Sequence, residues 1–173
     1  MSFLDPKVTV VLSVAIIAAI CDVRTRRIPN VLTFGAAGLA FLYALVSHGV
    51  TGLGLAVAGW LTGAALFFPF FALGGMGAGD VKLLAALAAW FGPFDAVWLA
   101  VFAAVSGGVF AVIVALARGY LRQAFVNLWF MFVQWRFLGI RSIAGFTLQD
   151  SRAPRLAYAI PIMVGAVCTI WRR

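Results

Sequence analysis

The chain of 173 residues is 65% hydrophobic and only 10% charged, with a mean hydropathy of +1.09. An ordinary soluble domain is nearer one half apolar and one quarter charged, so this composition excludes that class and indicates a polytopic membrane protein. A net charge of +8 would suggest a nucleic-acid partner in a soluble protein. Here the cations lie between apolar runs, where they act as topology signals, so no nucleic-acid partner is expected.

Six apolar segments come near the length of about 20 residues that a helix needs to cross a bilayer core. Asp5 and Pro6 suit the cap and first position of the first segment, and the fourth segment is unusually short. Between Tyr120 and Trp135, apolar residues recur at helical spacing close to flanking arginines, which favours an amphipathic helix on the cytoplasmic surface. The six segments are approximately 6–21, 31–47, 52–73, 81–91, 94–117 and 156–171. We therefore predict an all-α bundle of six transmembrane helices plus this surface helix, forming one integral-membrane domain over residues 1–173.

The positive charges predict an orientation, because loops rich in Lys and Arg stay in the cytoplasm. With both termini outside, ten of the 13 cations face the cytoplasm. These ten are Arg24, Arg26, Arg27, Lys82, Arg118, Arg122, Arg136, Arg141, Arg152 and Arg155, and the outer three are Lys7, Arg172 and Arg173. The inner arginines also predict contact with anionic lipid headgroups.

Few side chains are available for catalysis. The chain has no glutamate, one histidine, and two cysteines that lie far apart, so neither a zinc site nor any other metal or cofactor is expected. Acid and base chemistry must therefore come from the five aspartates. They are Asp5, Asp22, Asp80, Asp95 and Asp150.

Two of these aspartates are predicted to lie on the same side of the membrane. Asp22 ends the first segment and Asp80 opens the fourth, and two crossings separate them, so both carboxylates face the cytoplasm. A carboxylate at the border of the membrane is costly to keep there, so each of the two is a candidate functional residue. Two neighbouring carboxylates do not both ionise easily, so one stays protonated as an acid while the other activates water as a base. The pattern predicts an aspartyl hydrolase at the membrane border, whereas Asp5, Asp95 and Asp150 are interpreted as a helix cap, an outer turn and a polar stretch.

The local sequence around each of the two aspartates is specific. Asp22 lies in the basic stretch Cys-Asp-Val-Arg-Thr-Arg-Arg-Ile-Pro-Asn, where we expect the first helix to end. Asp80 closes Gly-Gly-Met-Gly-Ala-Gly-Asp and is followed directly by an apolar helix start. Because glycine carries no side chain, a loop that contains Gly77 and Gly79 can pass close to an extended substrate.

At these residues the chain resembles the type IV prepilin peptidases, bacterial members of the Gly-x-Gly-Asp membrane aspartyl proteases. The resemblance lies in residues 21–30, in residues 74–84, and more weakly in the late stretch 158–165. It implies a multi-pass inner-membrane endopeptidase whose site faces the cytoplasm and removes the leader of prepilins or pseudopilins after a glycine. By this resemblance the catalytic pair is Asp22 and Asp80, and the active-site loop includes Gly77, Gly79 and Lys82.

The chain departs from the longer members of that family. Those carry a cytoplasmic insert with paired cysteines that is linked to N-methylation of the pilin, whereas here Asp22 follows the first segment directly and no cysteine pair exists. We therefore expect no methyltransferase activity, and the short format resembles the peptidases of tight-adherence (Flp) pili. The alternatives are a preflagellin peptidase, a presenilin-like enzyme, whose Tyr-Asp motif Cys21-Asp22 does not match, or a small proton-coupled transporter.

Overall fold

The computed structural model describes residues 5–119, 121–123, 125, 126, 129, 133 and 157–173. Within these residues all regular secondary structure is α-helical, which confirms the predicted fold class. The helices are α1 (Pro6–Thr25), α2 (Asn30–Ala72), α3 (Ala78–Phe91), α4 (Pro93–Ala117) and α5 (Ala159–Arg172). The residues described between 121 and 133 are helical too, but the rest of the predicted surface helix lies outside the described residues.

Helix α1 begins as predicted and ends one turn later than predicted. The Asp5 carboxylate accepts a hydrogen bond from the Lys7 N–H at 2.9 Å, and Pro6 occupies the first turn, where a missing N–H costs nothing. At the other end Arg26 adopts a left-handed conformation with φ of 54°, and its N–H donates to the Asp22 carbonyl. Asp22 therefore lies within the last turn of α1 rather than in the turn that follows it.

Helix α2 combines two predicted crossings in one element of 43 residues. At about 1.5 Å per residue it would be about 64 Å long if straight, which is twice a bilayer core of about 30 Å. Gly49 interrupts it with φ of 65° and ψ of −157°, a backbone conformation that residues with a Cβ rarely adopt. The predicted loop between the two segments is thus reduced to one residue, and α2 consists of a first arm (30–48) and a second arm (50–72).

Helix α3 is the buried centre of the bundle. Leu83, Leu84 and Leu87 are completely buried, and α3 packs most extensively against α2. A Cβ at Gly59 in the second arm would lie 2.5 Å from the Ala88 carbonyl oxygen, so the absence of a side chain there permits the close approach. Contacts of both ends of α3 with the arms of α2 show that the second arm runs antiparallel to α3 and the first arm parallel to it.

Helices α4 and α5 form an antiparallel pair in close contact. A Cβ at Gly165 would lie 2.7 Å from the backbone nitrogen of Ala103, and the Ser106 hydroxyl donates to the Pro161 carbonyl at 2.9 Å. The bundle therefore has two ends. The end of α1 and the starts of α2, α3 and α5 share one of them, here called the Asp22 end. The Gly49 bend, the α3–α4 turn and the end of α5 share the other, here called the Asp95 end.

Three of the described helices, α1, α2 and α4, are long and apolar enough to cross a membrane. Large apolar side chains on their outer surfaces are more than half exposed, as in Leu42, Leu61 and Val105, which is typical of a surface that faces lipid. Helices α3 and α5 have 14 residues each, which is shorter than an ordinary crossing. The six crossings therefore stay a prediction.

Candidate active site

Asp22 is a buried carboxylate held from a distant part of the chain. It is 7% exposed, and its Oδ2 accepts a hydrogen bond from the backbone N–H of Ala159, at the start of α5, at 3.2 Å. The bond requires the extra turn of α1, because a helix that ended at Cys21 would leave Asp22 in the connecting turn. Asp22 therefore faces the bundle and not the solvent beside its neighbouring arginines.

Asp80 lies half-buried in the first turn of α3, and that helix directly follows the loop of residues 73–77, here called the glycine loop. Helix α2 closes before that loop with Gly74 in a left-handed conformation (φ 76°), and the Gly74 and Gly75 N–H groups donate back to the last carbonyls of the helix. Gly77 then caps α3, and its N–H donates to Asp80 Oδ2 at 3.1 Å. The loop thus ends by turning the Asp80 carboxylate back over the start of α3.

The start of α3 packs against the α1–α2 turn at the Asp22 end. Gly79 and Lys82, predicted to lie in a loop, belong to α3, because the helix already begins at Ala78. A Cβ at Gly79 would lie 3.3 Å from Ile28 Cβ, so the first turn of α3 lies directly beside the α1–α2 turn. The Lys82 ammonium donates to Asn30 Oδ1 at 3.0 Å and lies 5.3 Å from the centre of the Phe34 ring. Lys82 therefore links the start of α3 to the start of α2.

These contacts bring the two predicted aspartates to the same end of the bundle. Asp80 lies close enough to Asp22 for the two carboxylates to interact electrostatically, and close enough to Tyr158 for its charge to act on that side chain as well. Tyr158 immediately precedes Ala159, so the start of α5 contributes to the surroundings of both carboxylates. In the sequence, the only indication of a role for residues 158–165 was their weak resemblance to the type IV prepilin peptidases.

The family comparison agrees with this geometry. A family model described as the type IV leader peptidase family matches residues 9–112, which is more than half of the chain and includes both aspartates. The chain belongs to the type IV leader peptidase family. No curated protein and no solved structure matches it.

Membership in this family makes the protein an aspartic-type prepilin peptidase, and the family together with three long apolar helices indicates an inner-membrane protein. The match ends within α4, so the assignment does not depend on α5 or on Tyr158. The finer resemblance to the Flp-pilus peptidases is not tested by the family match.

The remaining aspartates of the peptidase have other partners. Asp5 caps α1, as predicted. Asp95 lies at the opposite end of the bundle from Asp22 and pairs with the guanidinium groups of Arg172 and Arg173. Asp150 lies outside the described residues. Within the residues that the structure describes, no group of three or more His, Cys, Asp or Glu side chains is arranged to hold a metal ion.

Proposed function

We propose that this peptidase removes the short basic leader of prepilin or pseudopilin precursors at the cytoplasmic border of the inner membrane, with Asp22 and Asp80 as its catalytic pair. The observation that carries the proposal is that two carboxyl groups, one from the end of α1 and one from the start of α3, lie within electrostatic range of each other. Family membership supplies the class of reaction.

The pair divides the chemistry of peptide hydrolysis. One carboxylate takes a proton from water while the water oxygen adds to the scissile carbonyl carbon. The other carboxyl group, which is protonated, donates its proton to the carbonyl oxygen. The C–N bond then breaks as the amine nitrogen receives a proton from the pair. The water oxygen ends in the new carboxylate of the leader, so no covalent link to the enzyme forms. Both aspartates return to their initial protonation states after the product leaves.

The surroundings of the pair favour an extended substrate segment. Peptide bonds inside a helix are poor substrates because their N–H and C=O groups are already engaged. The glycine loop presents backbone with little side-chain bulk, and the first turn of α3 that follows it lies beside the α1–α2 turn at Ile28. A precursor helix that reaches the site from the bilayer beside α1 and α3 would unwind near its leader to lie along this loop.

The proposed sidedness follows from charge. Arg24 in the last turn of α1, with Arg26 and Arg27 directly after it, supports a cytoplasmic position for the Asp22 end, as in the six-crossing single peptidase domain that we propose. Single cysteines placed in residues 24–27 and 76–79 are expected to react with a membrane-impermeant maleimide only in inverted vesicles. Labelling of the two segments from opposite faces would end the paired-carboxylate proposal.

The short connection between α1 and α2 supports a peptidase of the Flp-pilus type. Only residues 26–29 separate these helices, which leaves no space for a cysteine-containing insert. We therefore expect leader removal without N-methylation of the product. Intact-mass measurement of the released pilin tests this expectation, because a methyl group would add its mass to the mature chain.

The decisive experiment uses the purified protein in lipid nanodiscs with Flp-type prepilins and, as a matched comparison, the same prepilins with the glycine before the cleavage site changed to alanine. Mass spectrometry is expected to find a single cut after the glycine, and slower cleavage of the altered substrate. Cleavage of a preflagellin alone would favour the preflagellin alternative. Proton flux across proteoliposomes without cleavage of any precursor would favour the transporter alternative.

A further inference from the structure

The start of α5 lacks a cap of its own. The first N–H groups of a helix have no acceptor within the helix, and they are usually satisfied by a side chain at the N-cap position. Here the N-cap residue is Tyr158, which makes no side-chain capping bond. The buried N–H of Ala159 donates instead to Asp22 Oδ2, so a carboxylate from α1 caps α5. The same bond fixes one oxygen of Asp22.

The ring of Tyr158, beside this helix start, contacts two other helices. It forms a T-shaped pair with Phe67 in the second arm of α2, with ring centres 6.1 Å apart at 76°. It also lies against Gly107 in α4, where an added Cβ would be 2.5 Å from the hydroxyl oxygen and 2.7 Å from Cζ. Any residue with a side chain at 107 would therefore displace the ring. The Ser106 hydroxyl, which donates to the Pro161 carbonyl, holds the next turn of α5 to the same helix.

We propose that Tyr158 and Gly107 are positioning residues for Asp22: the Tyr158 ring, seated on Gly107, keeps the Ala159 N–H directed at the Asp22 carboxylate. Tyr158 acts through the Ala159 N–H and not on the substrate. This inference rests on the proposed function only in its kinetic consequence, since the geometric link can be measured without a substrate.

The neighbouring glycines of α4 provide a matched pair of variants. Gly107→Ala forces the ring of Tyr158 to move, whereas a Cβ at Gly108 would meet nothing within 4 Å. Because a misplacement of about 1 Å can cost about a hundredfold in rate, we expect Gly107→Ala to lower kcat by about tenfold to a hundredfold with KM nearly unchanged. Gly108→Ala is expected to retain the wild-type kcat. Equal kcat in the two variants would overturn the inference.

Variants of Tyr158 separate the ring from the hydroxyl. Tyr158→Phe keeps the ring and is expected to keep kcat within about threefold of wild type. Tyr158→Ala removes the ring and is expected to lower kcat as much as Gly107→Ala does. A thermal unfolding midpoint measured on each variant identifies simple destabilisation. If Tyr158→Phe were as slow as Tyr158→Ala, the hydroxyl would be acting directly and the positioning role would be wrong.

Amide hydrogen exchange at Ala159 tests the link itself. In the full chain in nanodiscs, we expect the Ala159 N–H to exchange faster in Gly107→Ala and in Asp22→Ala than in wild type, and at the wild-type rate in Gly108→Ala. Unchanged exchange in Gly107→Ala would overturn the inference even if the enzyme were active. If the variants showed this exchange pattern but the wild-type protein cleaved no prepilin, the proposed function would be contradicted and the positioning inference would stand.

Discussion

The two ends of the bundle use aspartate in opposite ways. At the Asp95 end, the carboxylate pairs with Arg172 and Arg173, and the Arg172 guanidinium also lies 4.8 Å from the centre of the Trp98 ring. At the Asp22 end, Asp22 and Asp80 accept hydrogen bonds from the backbone N–H groups of Ala159 and Gly77. A guanidinium neutralises a carboxylate, whereas a backbone N–H fixes its orientation and leaves its charge in place.

The surroundings of a carboxylate, and not its residue type, therefore decide whether it is structural or can take part in catalysis. Asp95 lies in the first turn of α4 and not in the predicted outer turn, and it ties the end of α5 to the start of α4, a role that its sequence neighbourhood does not reveal. The Asp22 end places two carboxyl groups close together, so ionising both costs free energy, and such an arrangement is expected where function requires it.

The largest effect is expected from removing a carboxylate at the Asp22 end. Asp22→Asn or Asp80→Asn should lower kcat/KM for leader removal about a thousandfold or more, because a neutral amide can neither take nor give the proton. Asp95→Asn is the matched control, and it should keep kcat/KM within about threefold of wild type. The three variants are compared by mass spectrometry of prepilin cleavage in nanodiscs. Comparable losses at both ends would remove the distinction.

A smaller effect is expected from separating the first turn of α3 from the α1–α2 turn. Gly79→Ala places a methyl group 3.3 Å from Ile28 Cβ, so Ile28 and the first turn of α3, which carries Asp80, must move apart by a few tenths of an ångström. We expect kcat to fall about tenfold. Adding Ile28→Ala should restore most of the rate. Gly38→Ala, where a Cβ would meet nothing within 4 Å, serves as the control. A double variant no faster than Gly79→Ala would contradict this packing.

Stability is expected to respond in the opposite order. Asp95→Asn breaks the pairing with Arg172 and Arg173 and should lower the free energy of unfolding by about 1 kcal/mol, or a few degrees in thermal midpoint. Asp80→Asn removes one of two neighbouring carboxyl groups, and with it the cost of ionising both, so it should leave the midpoint unchanged or raise it. Thermal unfolding in detergent measures both. A lower midpoint for Asp80→Asn than for Asp95→Asn would show that the Asp22 end is the structural one.

The smallest effect is expected at Lys82. Its ammonium contacts Asn30 and the ring of Phe34, so it supports the start of α3 from the side. Lys82→Gln retains a donor for Asn30 and should change kcat/KM by about threefold or less. A loss as large as that of Asp80→Asn would instead give Lys82 a direct role in the reaction.

The features that the sequence predicted well depend on local patterns. The apolar segments, the Asp5 cap and the helix that opens beside Asp80 all follow from hydropathy, capping and glycine placement, and the structure confirms them as helices and caps. Counting crossings between Asp22 and Asp80 also led to the end of the bundle where the structure places both. Their catalytic role stays a proposal.

The features that the sequence did not predict depend on tertiary contacts. Helix α1 continues past Asp22, whose side chain finds its donor on α5, and ends only where Arg26 takes a left-handed conformation. The seating of Tyr158 on Gly107 requires the close packing of α4 and α5, and neither residue has a local signal for it. The pairing of Asp95 with the end of α5 is likewise a contact between segments far apart in the sequence.

The most direct test measures both binding and cleavage of one prepilin by Asp80→Asn protein in nanodiscs. Together the two measurements separate a chemical role of the Asp80 carboxylate from a structural one. With Asp80 in the catalytic pair, the variant should bind the precursor with a Kd within about threefold of wild type and release no leader over many wild-type turnover times. Wild-type rates of leader release by Asp80→Asn, or a loss of binding with turnover intact at saturating precursor, would contradict the paired-carboxylate mechanism.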